Sequence, residues 1–147
     1  MIIKTEQCPL QKDIEITIKY PEKAKIIERI VSLLKSVDKK IECFSEDTVK
    51  IVNISDIYYI ESLEKKTFIY CEKMSYQTKY RLYQLIEKLA NNGFVQINKY
   101  CLMNINKMDN IKPLFNSRME VLLSNGIRLH VTRRYLAGLR QKLYEDV

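Results

Sequence analysis

The chain has 147 residues, 46% of them hydrophobic, with ten Tyr, four Phe and a formal net charge of +7, but only three Gly and three Pro. That makes one domain of the common size, roughly 100–150 residues, or one domain with a small appendage; it excludes a large multidomain enzyme and a disordered chain. No apolar run approaches the roughly 18 residues of a membrane span, and MIIKTEQCPLQKDIEI has neither an apolar core nor a small-residue cleavage site, so a cytoplasmic protein is expected.

The first expected element is a strand over residues 13–19, DIEITIK, where Ile14, Ile16 and Ile18 alternate with polar neighbours. Pro21 then opens a helix in which Ile26, Ile27, Ile30, Val31, Leu33, Leu34 and Val37 fall at helical spacing, and Asp38-Lys39-Lys40 ends it. Extended chain resumes at Ile41, so residues 1–43 read as a small βαβ-like unit in front of a β-rich domain over residues 44–147. There, short strands follow closely: TVKIVNI (48–54), DIYYIES (56–62) and TFIYCEK (67–73), the last two joined by the charged turn Leu63-Glu64-Lys65-Lys66. One internal helix is marked by Tyr80, Leu82, Leu85, Ile86 and Leu89 and stopped by Asn91-Asn92-Gly93. Phe94–Ile97 is extended again, whereas residues 98–110 are too polar and irregular to assign. A hairpin pairs Ile111–Phe115 with Met119–Leu123 across Asn116-Ser117-Arg118, and a second runs through Asn125-Gly126 into IRLHVT. Thr132 is placed to cap a C-terminal helix with the stripe Leu136, Leu139 and Leu143. The expected fold class is α+β, predominantly β.

Catalytic chemistry is hard to build from this composition. Three glycines, Gly93, Gly126 and Gly138, cannot form G-x-G-x-x-G or G-x-x-x-x-G-K-[ST], which excludes those phosphate-cradling enzymes. Cys8, Cys43, Cys71 and Cys101 contain no C-x-x-C pair, so they read as reduced thiols, mostly in the core, and not as zinc ligands or a disulfide framework. The one histidine, His130, points away from Leu129 and Val131 and reads as a surface residue; paired with Cys71 or Cys101 as nucleophile, it is the one enzymatic alternative. The adjacent carboxylates Glu46/Asp47 and Glu145/Asp146 sit in turn-like or terminal segments and read as solvation, and Glu61 as half of an ion pair. No catalytic site, metal or cofactor is expected.

The charge is unevenly distributed. Residues 1–64 hold 10 Lys and Arg against 12 Asp and Glu, a net of −2, whereas residues 65–147 hold 15 against 6, a net of +9. A basic cytoplasmic domain finds its commonest polyanion in nucleic acid, the alternative being a merely solvated basic face. Four basic clusters fall at expected turns or element boundaries: Lys65-Lys66-Thr67, Asn98-Lys99-Tyr100, Asn116-Ser117-Arg118 and Thr132-Arg133-Arg134. Lys and Arg grip phosphates, Arg reads guanine through two parallel hydrogen bonds, Asn reads adenine, and Tyr stacks or donates to phosphate.

The order of segments over residues 44–147 resembles the LytTR family of bacterial DNA-binding domains. FVQINKYCLMNINKM is similar to the family's F-x-R-I-H-[RK]-S-x-x-V-N followed by a second polar turn, and NGIRLHVTRRY to its N-G-x-x-L-x-V-S-R-x-Y. The resemblance implies a mostly β fold that presents loops, not a recognition helix, to the major groove of bent duplex DNA. It places Lys66 and Thr67, then Asn98, Lys99 and Tyr100, then Arg133 and Arg134 at the DNA. Gln96, Asn98, Tyr100 and Thr132 stand where the family usually has Arg, His or Ser, Ser, and Ser.

The expectation is therefore a bacterial, sequence-specific transcription regulator that reads promoter DNA with Lys65, Lys66, Thr67, Asn98, Lys99, Tyr100, Asn116, Arg118, Arg133 and Arg134, as a homodimer on repeated half-sites. Residues 1–43, too short for the receiver domain common in this family, resemble the extension of stand-alone members, often encoded beside a small membrane protein. They are expected to form the dimer or signal interface. The alternative is an interaction module that binds a membrane or signalling partner through its basic face.

Overall fold

The computed structural model describes residues 1–144. Residues 1–24 carry no regular secondary structure; α1 (Lys25–Ser36), β1 (Lys40–Ser45) and β2 (Thr48–Asn53) follow. A 3₁₀ turn at Ile54–Asp56 leads to β3 (Tyr59–Leu63), β4 (Lys66–Tyr70), β5 (Ser75–Thr78) and α2 (Leu82–Lys88). Next come β6 (Phe94–Asn98), β7 (Cys101–Asn104), a 3₁₀ turn at Ile105–Lys107, β8 (Met108–Pro113), β9 (Met119–Leu123) and β10 (Arg128–Val131). The 3₁₀ turn Arg133–Tyr135 then enters α3 (Leu136–Tyr144). The fold is α+β and predominantly β.

The strands pair antiparallel in two sheets, a seven-stranded one ordered β2-β1-β5-β4-β3-β7-β6 and a three-stranded one ordered β10-β9-β8. The large sheet is covered on both faces. On one side Cys101 and Met103 of β7 meet Val121, Leu123, Leu129 and Val131 of the small sheet and Leu136 and Leu139 of α3. On the other, Leu102 meets Leu85 and Leu89 of α2 together with Ile41, Val52, Ile60 and Ile69. Successive strand side chains point to opposite faces, so β7 feeds both cores and all four of its residues are buried.

Several expectations change. Residues 13–19 do not form a strand, and no βαβ unit exists: α1 leads into β1, whose two edges are already taken by β2 and β5, so a preceding parallel strand has no slot. β1 crosses the boundary expected at residues 43/44 and belongs to the large sheet, with Phe44 opposite both Val49 and Gln77. β5 was not expected at all, and the segment 98–110 contains β7 and the start of β8. Thr132 stands at the N-cap position of the 3₁₀ turn in extended conformation, but its side chain makes no capping bond. The stripe Leu136, Leu139 and Leu143 does face the core. At Gly93, φ 84°, a side chain would strain the backbone and displace its neighbours: a Cβ there would lie 2.6 Å from Asn106 Nδ2 and 2.8 Å from Ser32 Oγ. The pair Glu145-Asp146 lies outside the described residues.

Candidate nucleic-acid interface

Strand register brings the basic turns to one end of the molecule. Glu61 pairs with both Phe68 and Cys101, so the β3–β4 turn and the β6–β7 turn leave the large sheet on the same side, and Ser62 N–H donates to the Tyr100 carbonyl at 2.8 Å. Thr132 N–H donates to the Ile97 carbonyl at 3.0 Å, which sets the exit of β10 beside the β6–β7 turn. Val131 pairs with Met119, so the β8–β9 turn joins the same end, closed by Leu114 N–H on the Arg118 carbonyl at 2.8 Å.

Two of these turns hold non-glycine residues in left-handed backbone: Glu64 and Lys65 at φ 51° and 66°, and Asn116 and Ser117 at φ 61° and 58°. Consecutive left-handed residues give the primed turns that match strand twist, usually with Gly or Asn. Here Lys65 occupies such a position and is exposed. Its carbonyl accepts from Arg81 Nη1 at 2.8 Å, which ties the turn to the start of α2. Lys65, Thr67, Arg81, Gln96, Lys99 and Tyr100 all line one groove of about 330 Å³.

The expected contact residues divide by role. Lys65, Lys66, Lys99, Asn116, Arg118, Arg133 and Arg134 are exposed, and Tyr100 is 55% exposed with Lys99 Nζ 5.5 Å from its ring centre. Thr67 is buried at the floor of the groove, 4% exposed, opposite Thr78. Its hydroxyl is thereby withdrawn from a phosphate lying outside. Asn98 is engaged within the protein: its Nδ2 donates to the His130 carbonyl at 3.1 Å and its Oδ1 accepts from Tyr100 N–H at 3.0 Å. One amide thus latches the β6–β7 turn to β10. Arg81 was missed, although Lys79-Tyr80-Arg81, a basic triplet between strand and helix, carries the same signal as the four clusters.

Electrostatics leave Arg133 available. Glu120, the nearest acid on the strand that pairs with β10, is taken by Arg128 at 2.8 Å, Lys112 at 3.4 Å and His130 Nε2 at 3.5 Å. The Arg128 hydrogen bond, aided by Lys112 and opposed by burial, holds its carboxyl below the usual range. The Arg133 side chain makes no hydrogen bond or ion pair among the described residues, and Arg134 lies 5.9 Å from the Tyr135 ring centre. Burial pushes the Cys43 and Cys101 thiols up to about 12 and raises that of Cys71, so all three stay protonated near neutrality. That deprives the Cys–His arrangement of a thiolate. Among the described residues, no cluster of His, Cys, Asp and Glu could hold a metal, and no helix is long and apolar enough to cross a membrane.

A β framework that gathers exposed cations of four turns at one end, with helices kept to its faces, is a loop-presenting domain. The family model of the LytTr DNA-binding domain matches residues 47–144, and the chain belongs to that family. It is 29% identical over 98 residues to the sensory transduction protein LytT of Enterococcus faecalis, covering 67% of this chain and 40% of that one. It is 28% identical over 105 residues to the transcriptional regulatory protein YpdB of Escherichia coli K12, covering 71% and 43%. The chain thus spans about two fifths of the length of these relatives. A Staphylococcus aureus protein named as an uncharacterized HTH-type transcriptional regulator aligns over 130 residues at 22% identity, 87% of this chain and 88% of that one. Among solved structures, a LytTr DNA-binding domain from Bacillus cereus superposes with a TM-score of 0.69 at 24% identity, covering 73% of this chain and 98% of that one, which shows the shared fold.

Proposed function

We propose that this protein is a non-enzymatic, sequence-specific transcription regulator of a bacterial cytoplasm, which reads duplex promoter DNA with the loops at the basic end. One observation carries the reading: four turns distant in sequence, bearing Lys65, Lys66, Lys99, Arg118, Arg133 and Arg134, are brought to that end by register and by backbone hydrogen bonds between different loops. The names of the E. coli and S. aureus relatives, both transcriptional regulators, support it. Lys65, Lys66 and Lys99 carry point charges on flexible stems and suit phosphates. Arg133 leaves a fixed strand-to-helix junction and suits a base edge. Asn98 positions the loops it joins. Gln96, half-buried in the groove, and Tyr100, exposed beside it, set a base preference of this chain's own.

Residues 44–147, completed by residues 40–43 of β1, form the DNA-binding unit in this reading. Residues 1–43 provide the interface to a second copy on a repeated half-site, or to a small membrane-protein partner. Titration of labelled duplex by fluorescence anisotropy across a salt series tests it. Neutralising about five phosphates gives a slope of about −4 to −5 in log affinity against log salt. Binding that ignores salt, or no binding to any member of a random duplex pool, refutes it.

A further inference from the structure

β2 is the open edge of the large sheet. The opposite edge strand, β6, is covered by the β10 exit through Thr132 N–H on Ile97 and Asn98 on His130. The edge strand β8 of the small sheet is blunted by Asp109, Lys112 and Pro113, as unpaired edges usually are. β2 carries one such residue, Lys50, but its other face is apolar: Val49 and Ile51 are 62% and 56% exposed away from the core, beside half-buried Phe44 of β1. Elsewhere in the chain, residues 13–19 carry a strand pattern without a strand. Ile14 and Ile16 are 84% and 58% exposed, and residues 15–20 make no hydrogen bond with the other described residues. An alternating segment of seven residues and a six-residue strand with an unpaired outer edge are complementary.

We propose that β2 accepts residues 13–19 of a second copy of this chain as an added antiparallel strand. With Ile16 opposite Val49, the register puts Ile14 opposite Ile51 on the apolar face, while Glu15 falls opposite Lys50 and Thr17 opposite Thr48 on the other. Reach selects the second copy over the chain's own segment. The N-terminal end of α1 lies at the β6 side, where Lys142 interacts with Lys25 and Glu28 and donates to the Phe94 carbonyl at 3.0 Å. From β6 to β2 is six strand spacings, about 29 Å, whereas the residues this register leaves between the pairing and α1, 18–24, span at most about 25 Å. The inference names the surface that joins two copies and stands independently of DNA binding.

The test uses the full chain without DNA, in a Cys8→Ser background because Cys8 is exposed. Single variants Ile16→Cys and Val49→Cys are mixed and mildly oxidised. The expected product is a covalent species of twice the 17.5 kDa chain mass, well above that from Ile16→Cys mixed with Lys50→Cys, whose thiol points to the other face. Light scattering gives a dimer for the parent chain and a shift to monomer for Ile51→Glu, an exposed position, with unchanged circular dichroism. Cross-linking no greater than in the control mixture overturns the proposal. So does a link found only within one chain of the doubly substituted protein, or a parent chain that is monomeric at tens of micromolar. Because DNA is absent throughout, failure of DNA binding leaves this result interpretable.

Discussion

Replacing Lys65 by Gly should move stability and DNA affinity in opposite directions. Lys65 sits at φ 66° in the two-residue β3–β4 turn, a left-handed conformation that costs a residue with a Cβ about 1–2 kcal/mol. Glycine removes that cost but loses about 0.4–1 kcal/mol through the greater freedom of the unfolded chain, which leaves a net gain of about 0.5–1 kcal/mol. For a chain of this size that raises Tm by about 1–4 °C. The Arg81 bond to the residue 65 carbonyl is to the backbone and survives the change. On DNA the variant loses one phosphate contact, so the salt slope should become shallower by about 0.9, with weaker binding to cognate and scrambled duplexes alike. Differential scanning fluorimetry and a salt series of anisotropy titrations measure both. A variant that melts at or below the parent temperature refutes the strain argument. One that keeps the parent's salt slope refutes the contact.

Arg133→Ala should cost about 1–3 kcal/mol on a cognate duplex and much less on scrambled DNA, whereas Lys66→Ala weakens both about equally; competition titrations separate the two patterns. Asn98→Ala should lower Tm by several degrees, since it removes two hydrogen bonds of about 1 kcal/mol each, one that latches the β6–β7 turn to β10 and one that closes the turn on Tyr100; unchanged melting with lost specificity would make it a base reader. Because the Glu120 pKa is depressed on folding, its stabilising contribution is present above its ordinary value of 4.5 and disappears as pH falls through the lower folded value. Glu120→Gln should therefore flatten the acid side of a Tm–pH profile. At concentrations low enough to keep the chain monomeric, deleting residues 1–20 should leave Tm nearly unchanged, whereas starting the chain at residue 43 removes buried Ile41 and the Lys39 contacts and should destabilise by at least about 2 kcal/mol.

What could be read from the sequence follows from how many faces each element buries. α1, β2, β4, α2, β6 and both C-terminal hairpins bury one side or carry a strong turn signal, so period and punctuation expose them. β7 buries both sides, and Cys101-Leu102-Met103-Asn104 therefore shows no alternation; Asn104, which looks like loop polarity, is 3% exposed and donates to the Ile57 carbonyl at 2.8 Å. β5, Ser75-Tyr76-Gln77-Thr78, is too polar to be read as an internal strand, yet it lies between β1 and β4. Residues 13–19 fail in the converse sense. Their period is right, but a strand needs an edge, and no local pattern reports that both edges of β1 are occupied.

The candidate interface was legible as residue types at turns and illegible as geometry, because side-chain commitments depend on partners far away in sequence. Nothing near Thr67 shows that its neighbour across the sheet is Thr78, or that the pair lies beneath a groove rimmed by cations. Asn98 and Arg133 look equally suited to a base in the sequence, but they are separated by what else they hold. His130 and Tyr100 occupy the Asn98 amide, while Arg128, Lys112 and His130 occupy Glu120, the acid on the strand that pairs with β10. A side chain already satisfied inside the protein gains little from a base edge, whereas a guanidinium with no partner among the described residues, on a fixed backbone, gives up only water. By that reasoning, discrimination in this domain should concentrate where the structure leaves hydrogen-bond capacity unspent, on Arg133 and the open side of the groove.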